Sequence, residues 1–110
     1  MRIVWVLALL GACVDENKNE WRATASCTIH ASAGEECFEY DLTAPAQRDS
    51  LSAQCMGQWR EDDSCETDNR IAGCELDAQL LHGSYIYAGY TDVLGFSTEC
   101  KAKGGHYDGP

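Results

Sequence analysis

Apolar and acidic side chains alternate in Cys37-Phe38-Glu39-Tyr40-Asp41-Leu42, the stretch of this 110-residue chain that decides its fold. Successive side chains of a β-strand point to opposite faces of the sheet, so Phe38, Tyr40 and Leu42 share one face. Gly34 lies just before this stretch and suits a turn. The pattern therefore predicts a half-buried strand over residues 37–42, entered through a turn.

The same arrangement of aromatic residues occurs a second time. Two sets stand at equal distances after a cysteine: Cys27, Phe38 and Tyr40 in the first half, and Cys74, Tyr85 and Tyr87 in the second. Each half continues with a threonine, a cysteine, a glycine and an aromatic residue: Thr43, Cys55, Gly57 and Trp59, and then Thr91, Cys100, Gly104 and Tyr107. Such self-similarity indicates an internal repeat. The alternative is a chance recurrence of Cys and Gly, which are common in small secreted domains.

The second half predicts the same order of elements as the first. Tyr85 and Tyr87 alternate within a strand over residues 84–90, and Gly83 suits the turn before it. A helix is then expected in each half, over residues 44–56 and 92–103. Shared helical faces hold Leu51 and Cys55 in the first helix, and Val93, Phe96 and Cys100 in the second. The predicted fold class is α+β, built as two strand-strand-helix units.

The repeat restricts how the cysteines pair. Cys13 stands apart near the N-terminus, and six more cysteines lie in the rest of the chain: Cys27, Cys37, Cys55, Cys65, Cys74 and Cys100. If the two halves are copies, equivalent positions pair equivalently, which joins Cys27 to Cys55 and Cys74 to Cys100. Cys37 and Cys65 then bridge each other. If the repeat is a coincidence, the connectivity of the six cysteines stays open.

Aliphatic content is too low for an ordinary core. Residues 13–110 contain thirteen Leu, Ile, Val and Phe residues, about 13%, whereas a highly charged chain below about 20% is expected to stay disordered. Three disulfides closing loops of this length could offset on the order of 10 kcal/mol of denatured-state entropy. The bridges therefore take the place of a large core, and we expect reduction to unfold the protein.

The N-terminus has the pattern of an export signal. Arg2 precedes ten uncharged and mostly apolar residues, which are too few to span a bilayer as a helix. Leu10-Gly11-Ala12-Cys13 resembles the lipobox of bacterial lipoproteins. That resemblance implies lipid attachment at Cys13, cleavage before it and, with Val14 behind it, sorting to the outer membrane. The alternatives are an ordinary secretory signal or a buried N-terminal strand, with Cys13 as a free thiol.

Three segments follow from this interpretation: a signal peptide over residues 1–12, a lipid-anchored tether over 13–22, and a disulfide-rich domain over 23–110. The domain is similar to small cysteine-rich envelope lipoproteins whose C-terminus carries a cysteine, two glycines and an aromatic residue, here Cys100, Gly104, Gly105 and Tyr107. These lipoproteins share no assigned activity, so the resemblance bears on fold and location more than on function.

The charge balance narrows the class of partner. The full chain has a formal net charge of −10, and removal of Arg2 with the signal leaves −11. Such a surface repels nucleic acid and favours a cationic partner. The leading expectation is a non-enzymatic, lipid-anchored interaction or structural module. One alternative is an inhibitor of a cationic hydrolase such as a lysozyme, and a further alternative is a small hydrolase.

Recognisable catalytic and metal motifs are lacking in the sequence. The acidic stretch over residues 61–69 has oxygen ligands of the kind that calcium prefers but not EF-hand spacing, and we interpret it as a solvated linker between the halves. His30, His82 and His106 are isolated, and no serine stands in a nucleophile motif. We therefore predict no catalytic residue, no metal site and no cofactor.

A cluster of tyrosines is the candidate binding surface. Tyr85, Tyr87 and Tyr90 lie within seven residues, and tyrosines on one face of a strand can anchor a ligand or a protein partner. In a chain this poor in aliphatic residues, the favoured interpretation is that Tyr85 and Tyr87, with Phe38 and Tyr40, form most of the core.

Overall fold

The computed structural model describes residues 23–77 and 80–110, and within them the chain forms an α+β fold. Its elements in chain order are β1 (Ala23–Ala31), β2 (Gly34–Leu42), α1 (Pro45–Gln54), β3 (Gln58–Glu61), β4 (Arg70–Glu75), β5 (Leu81–Tyr87), α2 (Val93–Ala102) and β6 (His106–Asp108). The predicted signal peptide, the tether and Cys13 lie outside the described residues. Neither helix in the described part is long and apolar enough to cross a membrane.

One antiparallel sheet joins all six strands in the order β3-β1-β2-β5-β4-β6. This order reads the same from both edges when β1, β2 and β3 are exchanged for β4, β5 and β6. Each half is therefore a strand-strand-helix-strand unit, and the two units meet where β2 pairs with β5. The predicted α+β repeat is confirmed at this level, whereas the short closing strands β3 and β6 were not expected.

A single row of residues crosses the sheet and shows the symmetry of the two halves. From one edge to the other, its directly opposed members are Trp59, Cys27, Phe38, Ser84, Cys74 and Tyr107. Directly opposed residues point to the same face, so the two edge aromatics flank the two cysteines on the face that carries the helices. The predicted correspondence of Trp59 with Tyr107 is thus confirmed by strand register.

The correspondence of the two aromatic pairs is wrong by one residue. Cys27 lies opposite Phe38, eleven positions later, whereas Cys74 lies opposite Ser84, ten positions later. Because side chains alternate with period two, a one-residue difference in register moves a side chain to the other face. Phe38 therefore shares the face of the two cysteines, while Tyr85 lies on the opposite face.

All three predicted disulfides are present. Cys27 bonds Cys55, Cys37 bonds Cys65, and Cys74 bonds Cys100, with sequence separations of 28, 28 and 26 residues. The first and third bridges join the first strand of each half to the chain at the C-terminal end of its helix. The second joins β2 to the segment between the halves. The three bridges therefore attach both helices and the segment between the halves to the sheet.

Two small clusters of buried side chains lie on opposite faces of the sheet. The cluster on the helix face contains Ala72, Cys74, Ile86, Phe96 and Cys100. The cluster on the other face, called here the back face, contains Cys37, Cys65, Tyr85 and Tyr87. The expectation that aromatics form most of the core holds for Tyr85 and Tyr87, whereas Phe38 and Tyr40 are only half-buried.

The segment over residues 62–69 folds back onto the sheet and covers the second cluster. Its Cys65 is buried, and the Cys65 backbone N–H donates to Glu39 at 2.9 Å. Arg70 donates to the carbonyls of Cys65 and Glu66, and the Tyr87 hydroxyl donates to Glu66 at 2.7 Å. Apart from Cys65 the segment is solvent-exposed, as expected of a solvated linker between the halves, but the disulfide and these hydrogen bonds hold it to the sheet.

Several predicted element ends differ from the structure. The strand predicted over residues 84–90 ends at Tyr87, so Tyr90 lies in the loop that follows, and Gly83 lies within β5 rather than in a turn. Helix α1 stops at Gln54, which places Cys55 just beyond its end. The predicted helix over residues 92–103 is confirmed, with Asp92 and Lys103 as the flanking residues of α2.

Candidate functional site

Asp92 begins helix α2 and places it beside the sheet. The Asp92 carboxylate accepts a hydrogen bond from the Gly95 backbone N–H at 3.0 Å, which satisfies one of the free donors at the helix start. Glycine at position 95 leaves room for this bond, because a Cβ there would press on the Asp92 carboxylate. From this start, Phe96 and Cys100 face the sheet, and Cys100 bonds Cys74 of β4.

A cleft of about 310 Å³ runs between α2 and the strands β2 and β5. We call it the α2 cleft. The charged residues that line it are Glu36, Asp92, Glu99 and Lys103, and the aromatic residues that line it are Phe38, Tyr90 and Phe96. Ser84, Leu76 and the Cys74–Cys100 bridge complete the part nearest the sheet. Concave sites with apolar walls and a few convergent polar groups are the usual places for ligands.

Glu36 is the carboxyl group of this cleft with a displaced pKa. Burial raises its pKa above the ordinary value for Glu, and the nearby Glu99 carboxylate raises it further. The Lys103 ammonium and a hydrogen bond from Tyr90 act in the opposite direction but do not cancel these effects. A carboxyl group whose charged form is destabilised by partial burial in a cleft is a marker of functional sites.

Aromatic rings and one hydroxyl define the wall of the cleft next to Glu36. Tyr90 meets Phe96 edge-on with ring centroids 6.3 Å apart, and Phe96 in turn meets Tyr107 at 6.2 Å. Burial also raises the pKa of the Tyr90 hydroxyl, and the Glu36 carboxylate adds to this effect. Ser84 is only 8% exposed, and its hydroxyl has no hydrogen-bond partner among the described residues.

The predicted tyrosine surface is divided between the two faces. Tyr85 and Tyr87 lie on the back face beside the Cys37–Cys65 bridge, whereas Tyr90 lines the α2 cleft. The Arg70 guanidinium stacks over the Tyr85 ring at 3.8 Å from its centroid. Desolvation raises the pKa of both strand tyrosines. Of the three candidate binding residues, the structure therefore brings Tyr90 alone to the cleft.

Gly73 explains how the Tyr85 ring fits on the back face. Gly73 lies directly opposite Tyr85, and a Cβ on Gly73 would come within 2.7 Å of the ring. The ring thus lies across the neighbouring strand at the point where that strand has no side chain. A depression of about 280 Å³ adjoins this point, lined by Arg70, Glu75, Asp108 and their neighbours. Its arginine is already engaged by Tyr85 and by two carbonyls of the covering segment.

Other polar groups named from the sequence lie apart. Within residues 23–77 and 80–110, no group of three or more His, Cys, Asp or Glu side chains could hold a metal ion. In the acidic stretch, Asp63 and Glu66 pair with Arg60 at 3.5 and 3.7 Å. These two carboxylates are therefore paired with an arginine of β3.

The sequence contained one signal for the α2 cleft, a charged residue on the apolar face of β2. In β2, Glu36 has the same parity as Phe38, Tyr40 and Leu42, so it stands on the helix face among apolar side chains. A charged residue at such a position is unusual and informative. What could not be read from the sequence is that α2, more than fifty residues later, covers this position.

Comparisons of the chain with models of protein families, with curated proteins and with solved structures found no match.

Proposed function

We propose that this chain is an exported, lipid-anchored protein of the cell envelope whose disulfide-bonded domain has a non-enzymatic interaction role. One observation carries the export and anchoring part. The six cysteines of the described residues are all paired with one another, which leaves Cys13 as the seventh cysteine of the sequence. Disulfides persist in oxidising compartments. A cysteine directly behind an apolar leader is the position where lipid would be attached.

Lipid attachment is tested by expressing the full chain in a Gram-negative host with labelled palmitate. The wild-type protein should incorporate label and partition into the membrane fraction, and Cys13→Ser should lose both properties. Val14→Asp is the matched variant next to the modified position. Under the sorting rule implied by the lipobox resemblance, it should keep the label but move from the outer to the inner membrane. Unlabelled wild-type protein that is released in soluble form would refute the proposal.

The interaction part is supported by the α2 cleft. The cleft places the half-buried Glu36 carboxylate of β2 beside aromatic rings and under α2, which is held to the sheet by a disulfide and by Phe96. A rigid scaffold with a preformed concave surface loses little conformational entropy when it binds. A pull-down from envelope extract with the oxidised full chain should therefore recover a specific partner, and Glu36→Gln should reduce the recovery more than Glu35→Gln, which changes the same charge on the opposite face.

A second candidate is an inhibitor of a cationic hydrolase such as a lysozyme. The specific observation behind it is the acidic cleft on a domain whose mature form would carry a net charge of −11. Association driven by such charge is fast at low ionic strength and weakens as salt is added. Equimolar oxidised protein should then lower lysozyme activity at low salt and less so at high salt. Activity that is unchanged at low salt would remove this candidate.

A further inference from the structure

We propose that the α2 cleft binds the ammonium or guanidinium group of a basic side chain on a protein ligand. The inference rests on the interaction role proposed above and names the chemistry of its contact point. It does not depend on lipid attachment, so the two proposals fail in different experiments.

The balance of charge in the cleft favours a cation. Three carboxylates, those of Glu36, Asp92 and Glu99, line it together with the Lys103 ammonium. Lys103 lies 3.1 Å from Glu99 and is already paired with it. Asp92 accepts a backbone N–H of α2 and Glu36 accepts the Tyr90 hydroxyl, and neither carboxylate forms an ion pair with the described residues. The cleft therefore keeps a net negative charge, and Glu36 is its half-buried carboxylate.

The walls supply the other contacts that such a cation needs. The rings of Tyr90 and Phe96 flank the Glu36 side of the cleft, and aromatic faces attract ammonium and guanidinium groups. Ser84 is 8% exposed and lines the cleft, and its side chain makes no hydrogen bond with the described residues. Its oxygen is not among the polar atoms sealed from solvent, so an N–H donor that enters the cleft can reach it. This acceptor is independent of the carboxylates and fits the same class of ligand.

Size and the position of Lys103 favour a single side chain over a free polyamine. A volume of about 310 Å³ lies at the lower limit of the ~300–1,000 Å³ typical of small-ligand sites. Lys103 stands at the C-terminal end of α2 with about half of its side chain exposed. The Lys103 ammonium would repel the second or third ammonium of a polyamine. A protein ligand can instead insert one lysine or arginine side chain and keep its other charges outside the cleft.

The test is an NMR titration of the oxidised full chain in a non-ionic detergent. The probes are the Nα-acetyl methylamides of arginine, of lysine and of citrulline, which resembles arginine in shape but is neutral, together with spermidine. Arginine or lysine derivatives should shift the amide signals of Ser84 and Gly95, and citrulline should not. Glu36→Gln should weaken this binding about tenfold, as expected for loss of one charge-assisted contact. Ser84→Ala should weaken it by a smaller factor.

Glu35→Gln is the matched control, because Glu35 neighbours Glu36 in the sequence but faces Tyr87 on the opposite side of the sheet. It should leave the affinity unchanged. The proposal is overturned if citrulline binds as well as arginine, if Glu35→Gln weakens binding as much as Glu36→Gln, or if no probe shifts the cleft signals. Tighter binding of spermidine than of either side-chain derivative would overturn the assignment to a protein ligand. Retained dispersion of the amide signals confirms that each variant is folded.

Discussion

The two halves of the domain share one architecture but differ in what holds their helices. Helix α2 buries Phe96 and Cys100 against Ile86 and Ala72 of the sheet. Helix α1 has no buried residue, and it is linked to the sheet through the Cys27–Cys55 bridge that follows its last turn. Equivalent disulfides thus serve different purposes. In the second half the bridge supplements the burial of Phe96, whereas in the first half it joins to the sheet a helix that buries none of its own side chains.

The largest test of this difference removes one helix-to-sheet bridge at a time. Because the closed loops are of nearly equal length, loss of either bridge should cost about 3.5 kcal/mol of unfolding free energy in the chain-entropy model. The local effect should differ. Cys27→Ala with Cys55→Ala should expose the α1 amides to rapid hydrogen exchange, whereas Cys74→Ala with Cys100→Ala should leave α2 protected through Phe96. Equal loss of protection in α1 and α2 would contradict the comparison.

The next test removes apolar side chains from the two helices. Phe96→Ala should reduce the unfolding free energy by about 3 kcal/mol, since it empties a buried position in the helix-face cluster. Leu51→Ala in α1 should cost only about 1 kcal/mol, because Leu51 is half-exposed. Guanidinium denaturation of the oxidised proteins measures both values. A Leu51 variant as unstable as the Phe96 variant would mean that α1 has a core of its own.

Loss of the side-chain hydrogen bond at the N-terminal end should cost the two helices a similar amount of stability. In α1 the Gln47 side chain accepts the backbone N–H groups of Thr43 and Ala44 at 2.7 and 3.1 Å. In α2 the Asp92 carboxylate accepts the Gly95 N–H. Gln47→Ala and Asp92→Ala should each lower the unfolding free energy by about 1 kcal/mol. Thermal unfolding of both variants provides the measurement, and a markedly larger loss in one half would show that its cap also positions the helix.

The smallest expected effect concerns Glu36, which lies on β2 but under α2. Burial, followed by the Glu99 carboxylate, raises the pKa of Glu36 in the folded protein. The folded state therefore binds this proton more tightly than the unfolded chain does. The resulting stabilisation is present at low pH and is lost as the pH rises from the unfolded to the folded pKa.

Glu36→Gln should consequently raise the melting temperature slightly at a pH above the raised pKa of Glu36, and have little effect at a pH low enough for the carboxyl group to be neutral in both the folded and the unfolded state. Melting curves of the wild type, Glu36→Gln and Glu35→Gln across this pH interval measure the effect. A melting temperature that falls at the higher pH in Glu36→Gln would show that the ionised carboxylate is stabilised by its surroundings, contrary to the direction of the pKa displacement.

Sequence patterns predicted the elements and the bridges well for a definite reason. Alternation over residues 37–42 and helical spacing of Val93, Phe96 and Cys100 are local properties, and β2 and α2 contain them as expected. The recurrence of cysteines at matching places was enough to predict all three disulfides. Strands β3 and β6 escaped notice because strands of four and three residues are too short to show a period.

The α2 cleft was not predicted because it depends on contacts between distant segments. Glu36 and Tyr90 belong to different halves, and they meet only because β2 pairs with β5 and α2 returns over that pair. Tyr85 and Tyr87, which the sequence groups with Tyr90, point away from it. Proximity in the sequence was thus a poor guide to the site, since three residues of loop after Tyr87 are sufficient to carry the chain to the other face.

The sequence was sufficient to predict an α+β domain whose low aliphatic content requires disulfides, and it offered a repeat and a pairing of the cysteines that the strand order and the three bridges then confirmed. These properties follow from local periodicity, composition and matched spacing. The tertiary structure alone decided which face each aromatic residue occupies and where carboxylates and rings converge. A hairpin register that differs by one residue between the halves reverses the faces of Tyr85 and Tyr87 relative to Phe38 and Tyr40, and such a difference is set by the pairing of whole strands.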